Sequence, residues 1–278
     1  MINFIGVGAQ KSATSWVYAC LYEHPQICAP IKEIHFFSRP RYEKGTEWYE
    51  SHFNKCENGK RTGEFSTSYL YSLDAPERIK SCYPEVKFIA MLRNPITRAY
   101  SQYRNAIKAG EITEEETFES YAQKEVSVLE QGKYAEQLAR YYALFKKEQI
   151  LVLIQEDIDA DPGAFMKRIY AFLGVDTSFV PTMLHTPVNV GRTPKHVFIE
   201  RTMHHVAEFL RKIGFDKFVW AIRKLGLPDI VRGFNTKVGA KRDTPTYDKE
   251  ALARYFRDDA RKLTTYLDRD MVTEWNLL

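Results

Sequence analysis

The stretch Phe4-Ile5-Gly6-Val7-Gly8-Ala9-Gln10-Lys11-Ser12-Ala13-Thr14-Ser15-Trp16 is where chemistry is densest in this sequence. A short apolar run opens into small residues holding one lysine and three hydroxyls, and a helical pattern follows. Backbone N–H groups at a helix start, with the helix dipole, hold an anion, and Lys11 adds a point charge. Two familiar phosphate loops fail here. A P-loop needs glycine directly before the lysine and again five residues before that, where this chain has Gln10 and Ile5. A dinucleotide fingerprint needs a third glycine where Lys11 stands. The competing reading is an ordinary capped turn between strand and helix.

A second constellation is Leu92-Arg93-Asn94-Pro95-Ile96-Thr97-Arg98-Ala99-Tyr100-Ser101. It puts Arg93 at the end of another apolar run and Ser101 one or two turns into the next helix. An arginine fork with a hydroxyl suits a dianionic phosphate, whereas a lone arginine after a strand usually makes only a surface ion pair. Arg93 also stands where a nucleotide triphosphatase would keep a magnesium-binding aspartate. Two anion sites at the ends of two strands point to a ligand with two separated phosphates.

The elements that must position these residues follow from hydrophobic patterning. Residues 2–7, 86–92 and 149–154 are apolar runs too short for helices, so they read as buried parallel strands, with residues 62–66 a weaker fourth. Helical patterns occupy residues 15–23, 76–83, 97–109, 134–147, 162–173 and 247–267, while residues 194–242 offer no convincing strand. Alternating strands and helices imply right-handed crossovers, a parallel sheet covered on both faces, and ligands at the carboxyl ends of its strands. The expected fold is one α/β domain: a core over residues 1–192 and a helical C-terminal part over residues 193–278.

Composition bounds the function. The 278 residues are 44% hydrophobic and 27% charged, enough for a packed core and too balanced for a disordered tail. Forty Lys and Arg against 36 Asp and Glu leave +4, which makes no case for nucleic acid. Cys20, Cys28, Cys56 and Cys82 form no C-x-x-C pair, so they read as free thiols without a metal. Neither a leader segment nor a membrane span is visible, and the expectation is a cytoplasmic enzyme.

The residues now reach a known family. Gln10 to Ser15 resembles the 5′-phosphosulfate loop of sulfotransferases that use 3′-phosphoadenosine 5′-phosphosulfate (PAPS), and Arg93 to Ser101 resembles their 3′-phosphate motif. Lys32-Glu33-Ile34-His35-Phe36-Phe37 is similar to the K-E-x-H-F-F block of heparan-sulfate-type and bacterial members, followed by Gly45-Thr46-Glu47-Trp48-Tyr49. Gly132-Lys133-Tyr134, Val188 to Arg192 and Lys237 to Arg242 follow the family order. Two departures stand out: Ala13 replaces the usual glycine, and Phe65 follows Glu64 where the animal heparan enzymes have lysine.

The resemblance implies a five-stranded parallel sheet and PAPS as co-substrate, with adenosine 3′,5′-bisphosphate as product and no metal. Lys11, Ser12, Ala13, Thr14, Ser15 and Trp16 would hold the 5′ side, and Arg93 with Ser101 the 3′-phosphate. Glu33 would be the general base and Lys11 would stabilise the leaving phosphate; His35 is the alternative base. A glycan or glycolipid hydroxyl is the favoured acceptor, with a lipid or small secondary metabolite the alternative. Residues 195–242 carry eleven basic and four acidic residues, which marks them as a cover over a polyanionic ligand, with Arg192, Lys241 and Arg242 reaching it. Two other classes compete: a nucleotide kinase, and a peripheral membrane module using the basic amphipathic residues 205–234.

Overall fold

The computed structural model describes residues 2–186, 193–194, 206, 236–237 and 247–278. The chain divides into two compact units, one of Met1–Ala99, Leu129–Val188 and Asp248–Leu278, the other of Tyr100–Val128 and Asn189–Tyr247.

In the first unit five strands form an all-parallel sheet. They are β1 (Phe4–Gly8), β2 (Ile27–Cys28), β3 (Arg61–Phe65), β4 (Lys87–Leu92) and β5 (Ile150–Ile154), in the order β2-β3-β1-β4-β5. Every residue of β1 is buried, as a central strand covered on both faces requires. The α/β fold and its five parallel strands match the expectation. Only β2 escaped the apolar pattern, because two residues are too few to show a period.

Helices α1 (Thr14–Glu23), α2 (Gly45–Glu50), α3 (Ala75–Cys82), α4 (Pro95–Ala109), α5 (Phe118–Lys124), α6 (Ser127–Glu130), α7 (Tyr134–Tyr142), α8 (Asp157–Ala160), α9 (Pro162–Leu173), α10 (Lys249–Leu267) and α11 (Met271–Glu274) connect or flank the strands. Trp16, Val17, Cys20 and Leu21 of α1 and Phe165, Met166, Ile169 and Tyr170 of α9 share one core with Phe4, Phe65, Ile89, Met91 and Leu153 of the sheet. Elsewhere Phe88 packs on Tyr141 and Phe145 at 5.1 and 4.5 Å. Asp259 of α10 accepts hydrogen bonds from Ala135 N and Glu136 N at the start of α7 (3.0 and 3.1 Å), which ties the C-terminal helix to this unit. Gly63 permits the close approach of β1 and β3: a Cβ there would lie 2.3 Å from the Phe4 carbonyl oxygen.

In the second unit the rings of Tyr100, Tyr103, Phe118, Tyr121 and Tyr247 pack at 5.2 to 5.8 Å. Thr193–Pro194 (β6) pairs antiparallel with Thr236–Lys237 (β7), correcting the expectation of no strand between residues 194 and 242. Two-residue strands carry no alternation to read.

The cysteines need a second correction. Cys28 and Cys56 form a disulfide, with Cα atoms 5.7 Å apart, and Cys20 and Cys82 are free. Parallel pairing of β2 with β3 brings the two cysteines together across 28 residues, which spacing alone could not reveal. The expectation of four free thiols therefore fails for Cys28 and Cys56 and holds for Cys20 and Cys82. Among the described residues no helix is long and apolar enough to cross a membrane.

Candidate functional site

Because all five strands run the same way, the segments after β1, β3 and β4 emerge at one end of the sheet. Backbone bonds fix that end: Ser66 N donates to the Gly6 carbonyl (2.9 Å), Leu70 N to Val7 (2.8 Å) and Ala9 N to Met91 (2.6 Å).

The loop after β1 has the features of an anion cradle. Ser12 is fully buried, and its Oγ lies in the protein without a hydrogen-bond partner. Such an orphaned hydroxyl costs stability unless something else satisfies it. Thr14 is buried beside it, and no side chain caps the start of α1. Lys11 and Ala13 both adopt left-handed backbone, with φ 70° and 56°. Trp16 is buried in the first turn of α1. Its N–H donates to the Ala13 carbonyl (3.0 Å), its indole N–H to Met183 (3.2 Å), and its ring is buried against Phe165. Helix start and core thus engage both N–H donors of Trp16.

After β4, Asn94 Oδ1 accepts from Ile96 N and Thr97 N (3.0 and 3.3 Å), starting α4, while its Nδ2 donates to the Trp275 carbonyl (2.9 Å). Arg93 is aimed by its neighbours: Nε donates to Thr97 Oγ1 (2.9 Å) and Nη1 to the Lys11 carbonyl (3.2 Å). Tyr134 Oη donates to the Arg93 carbonyl at 2.9 Å. Arg93 is thereby coupled to the loop after β1. Ser101 is half-buried on the second turn of α4. Arg192, Lys241, Arg242 and the basic stretch 205–234 lie outside the described residues, Val206 excepted.

Glu33 and His35 sit on a segment docked beside β3. Lys32 bridges to Phe65, and Glu33 N donates to the Phe65 carbonyl (2.7 Å). Glu33 Oε1 accepts from Lys32 Nζ (2.7 Å), and Oε2 accepts from Thr67 N (3.1 Å). Thr67 Oγ1 reaches both oxygens at 3.1 and 3.2 Å. His35 Nε2 lies 3.0 Å from Glu33 Oε2, and Nδ1 lies 2.7 Å from Ser68 Oγ. Burial drives the His35 ring down to about 4, further than the Glu33 carboxylate draws it up, with Arg39, Arg41 and Lys32 adding to the depression. At neutral pH the ring is therefore uncharged, donates Nε2–H to Glu33, and accepts at Nδ1 from Ser68. Among the described residues six non-glycine positions have positive φ, and four of them are Lys11, Ala13, Glu33 and His35. Such strain concentrates where the surrounding structure over-determines a functional site.

Sequence reasoning missed what holds Glu33 in place. Ser66, Thr67 and Ser68 each contact the 33–35 segment, and the run of hydroxyls after a buried strand was the available signal. Phe36 and Phe37 are fully buried, as core packing requires. No group of three His, Cys, Asp or Glu that could hold a metal occurs among the described residues.

The model of the sulfotransferase domain matches residues 3–218 of this chain. Mouse bifunctional heparan sulfate N-deacetylase/N-sulfotransferase 4 is 31% identical over 195 residues, covering 62% of this chain and 22% of that protein. Human heparan sulfate glucosamine 3-O-sulfotransferase 3B1 is 32% identical over 179 residues, covering 61% and 45%. The chain thus spans less than half the length of these two relatives. Among solved structures, a sulfotransferase from Alicyclobacillus acidocaldarius superposes with a TM-score of 0.71 at 25% identity, covering 99% of both chains. The sulfotransferase domain of the curacin biosynthetic pathway shares the fold at a TM-score of 0.51 and 14% identity.

Proposed function

The chain belongs to the sulfotransferase domain family, and from that premise we propose that it transfers a sulfuryl group from PAPS to a hydroxyl or amine on a glycan, with Glu33 as general base. When bound, the nucleotide supplies the sulfuryl group and a 5′-phosphate leaving group. Lys11, the N–H groups opening α1, and the hydroxyls of Ser12, Thr14 and Ser15 bind that phosphate and stabilise the charge it gains. Ser12 Oγ, buried and unpartnered, gains an acceptor to donate to. We assign the 3′-phosphate to Arg93 and Ser101, and name Arg192, Lys241 and Arg242, which lie outside the described residues, as further candidate phosphate contacts.

The observation that carries the choice of base is the bonding of His35. Its neutral ring spends Nε2–H on Glu33 and its Nδ1 lone pair on Ser68, which leaves neither nitrogen to take a proton. Glu33 keeps a partly exposed carboxylate, 31% accessible, oriented by Thr67, Lys32 and His35. It receives the acceptor proton as attack proceeds. A glycan acceptor is supported by the heparan sulfate enzymes among the relatives.

The test is transfer from labelled PAPS to chemically desulfated heparan sulfate, paired with thermal shift. Adenosine 3′,5′-bisphosphate should raise the melting temperature, and ATP with magnesium should not. Glu33→Gln should keep the shift and lose transfer. A shift with ATP and magnesium alone would overturn the donor, and full transfer by Glu33→Gln would overturn the base.

A further inference from the structure

A second carboxylate stands behind the site. Glu64, at the end of β3, is fully buried and exposes nothing to the acceptor. Its Oε2 accepts from Ser66 Oγ (2.7 Å), and its Oε1 accepts from Tyr69 Oη (2.7 Å) and Tyr49 Oη (3.3 Å). Two of those hydroxyls serve as acceptors in turn. Ser66 Oγ takes the N–H of His35 (2.9 Å), and Tyr69 Oη takes the N–H of Phe36 (2.8 Å). Both N–H groups belong to the segment whose left-handed residues are Glu33, the proposed base, and His35, which orients it. Each hydroxyl can accept from that segment with its hydrogen committed elsewhere, and Glu64 is where both hydrogens go.

We propose that Glu64 is a positioning residue that sets the geometry of Glu33 and His35 through the hydroxyls of Ser66 and Tyr69, and does so only as the carboxylate. The proposal rests on the reading of Glu33 as base. An ionised carboxylate accepts all three hydroxyl hydrogens. A protonated one turns one oxygen into a donor, so one of these three bonds must reverse. A hydroxyl that takes the Glu64 proton must turn its own hydrogen away while it also accepts a backbone N–H, and the support of the 35–36 segment loosens.

The switch between the two forms falls in a useful range. Burial raises Glu64 to about 7, against the opposing pull of the bonds from Ser66, Tyr69 and Tyr49, with the Glu33 charge adding to the rise. The titratable groups facing it are Tyr49 of α2, Tyr69, Glu33, and Tyr18 of α1. The three tyrosines are held protonated, chiefly by burial. Around neutral pH, Glu64 is the group in this network that changes charge.

The experiment follows the His35 ring signal by NMR from pH 5 to 9, assigned by its loss in His35→Gln, alongside kcat for transfer from PAPS to desulfated heparan sulfate. Wild type should show an inflection near pH 7 in both. Glu64→Gln should abolish both inflections and lower kcat about tenfold, or 1.4 kcal/mol, at pH 8, with thermal shift by adenosine 3′,5′-bisphosphate unchanged. An inflection that persists in Glu64→Gln overturns the proposal. If Glu64→Gln does not fold, Tyr69→Phe removes one relay hydroxyl: lower kcat with unchanged nucleotide shift supports the proposal, and wild-type kcat overturns it. Failure of the base reading appears separately, as turnover retained by Glu33→Gln, while the NMR inflection requires no acceptor.

Discussion

His35 Nε2 stands 3.0 Å from Glu33 Oε2, and burial keeps that imidazole neutral down to about pH 4. The pair is a hydrogen bond at working pH, with the histidine as donor. What Glu33 needs from position 35 is thus one N–H in the right place. His35→Gln offers an N–H of similar reach and should keep most of the turnover. His35→Ala should lose about tenfold in kcat, the worth of one charge-assisted hydrogen bond. Equal rates for the two variants would remove the orienting role. The ring itself should titrate near 4 by NMR, well below the ordinary histidine.

Arg93 reaches the loop after β1 through the Lys11 carbonyl. An arginine fork oriented this way should discriminate a 3′-phosphate from a hydroxyl. Arg93→Met should weaken adenosine 3′,5′-bisphosphate by about a hundredfold, a loss of 2 to 3 kcal/mol for a charged hydrogen-bonded pair. AMP, lacking the 3′ group, should lose far less. Calorimetric titration of both ligands decides, and equal losses would assign Arg93 to the 5′ side or to folding.

Ala13 marks a departure from the family pattern that the backbone explains. Its φ of 56° lies in the left-handed region, where a Cβ costs about 1 to 2 kcal/mol and glycine costs nothing. A glycine would suit that conformation; the alanine stores strain. Ala13→Gly should stabilise the fold by about 1 kcal/mol, less the extra entropy of an unfolded glycine, and raise the melting temperature by about 2 °C. Scanning calorimetry reads it directly, and a lower melting temperature would contradict the strain.

Much of this architecture was readable because long apolar runs, lone glycines and charged loop residues each have one physical reading. Residues 86–92 could only be a buried strand, so Arg93 had to emerge at its carboxyl end. The left-handed turn at Glu33 and His35 was not readable, since neither residue favours it locally. Its cause is tertiary: Ser66, Thr67, Ser68 and Tyr69 pull on the segment from a different strand end. The disulfide was hidden for the same reason.

The Cys28–Cys56 bridge closes the stretch that holds Glu33, His35 and α2. Cross-links across 28 residues restrict the unfolded chain by about 3 to 4 kcal/mol. Cys28→Ser should lower the melting temperature under oxidising conditions and make it insensitive to dithiothreitol. Wild type with dithiothreitol should fall to the variant's value. A melting curve of wild type indifferent to dithiothreitol would show that the bridge carries no stability.

Glu64 and His35 make opposite demands on stability as pH changes. The folded chain holds the Glu64 proton more tightly than the unfolded chain does, with about 7 against an ordinary 4.5. Its contribution is therefore full below pH 4.5 and is lost as pH rises through 7, a change of about 3 kcal/mol. The folded chain holds the His35 proton less tightly, with about 4 against an ordinary 6.5. That contribution is full above pH 6.5 and is lost as pH falls through 4. Between pH 4.5 and 6.5 the two slopes cancel. Removing either partner should expose the other: relative to wild type, Glu64→Gln should gain stability as pH rises across that window, and His35→Gln should lose it. Urea unfolding of the three proteins at half-unit steps from pH 4.5 to 7.5 gives the difference curves. Parallel curves would mean that neither group titrates as its surroundings dictate. Curves of opposite slope would show the buried Glu64 carboxyl and the His35 imidazole titrating in the directions their burial dictates.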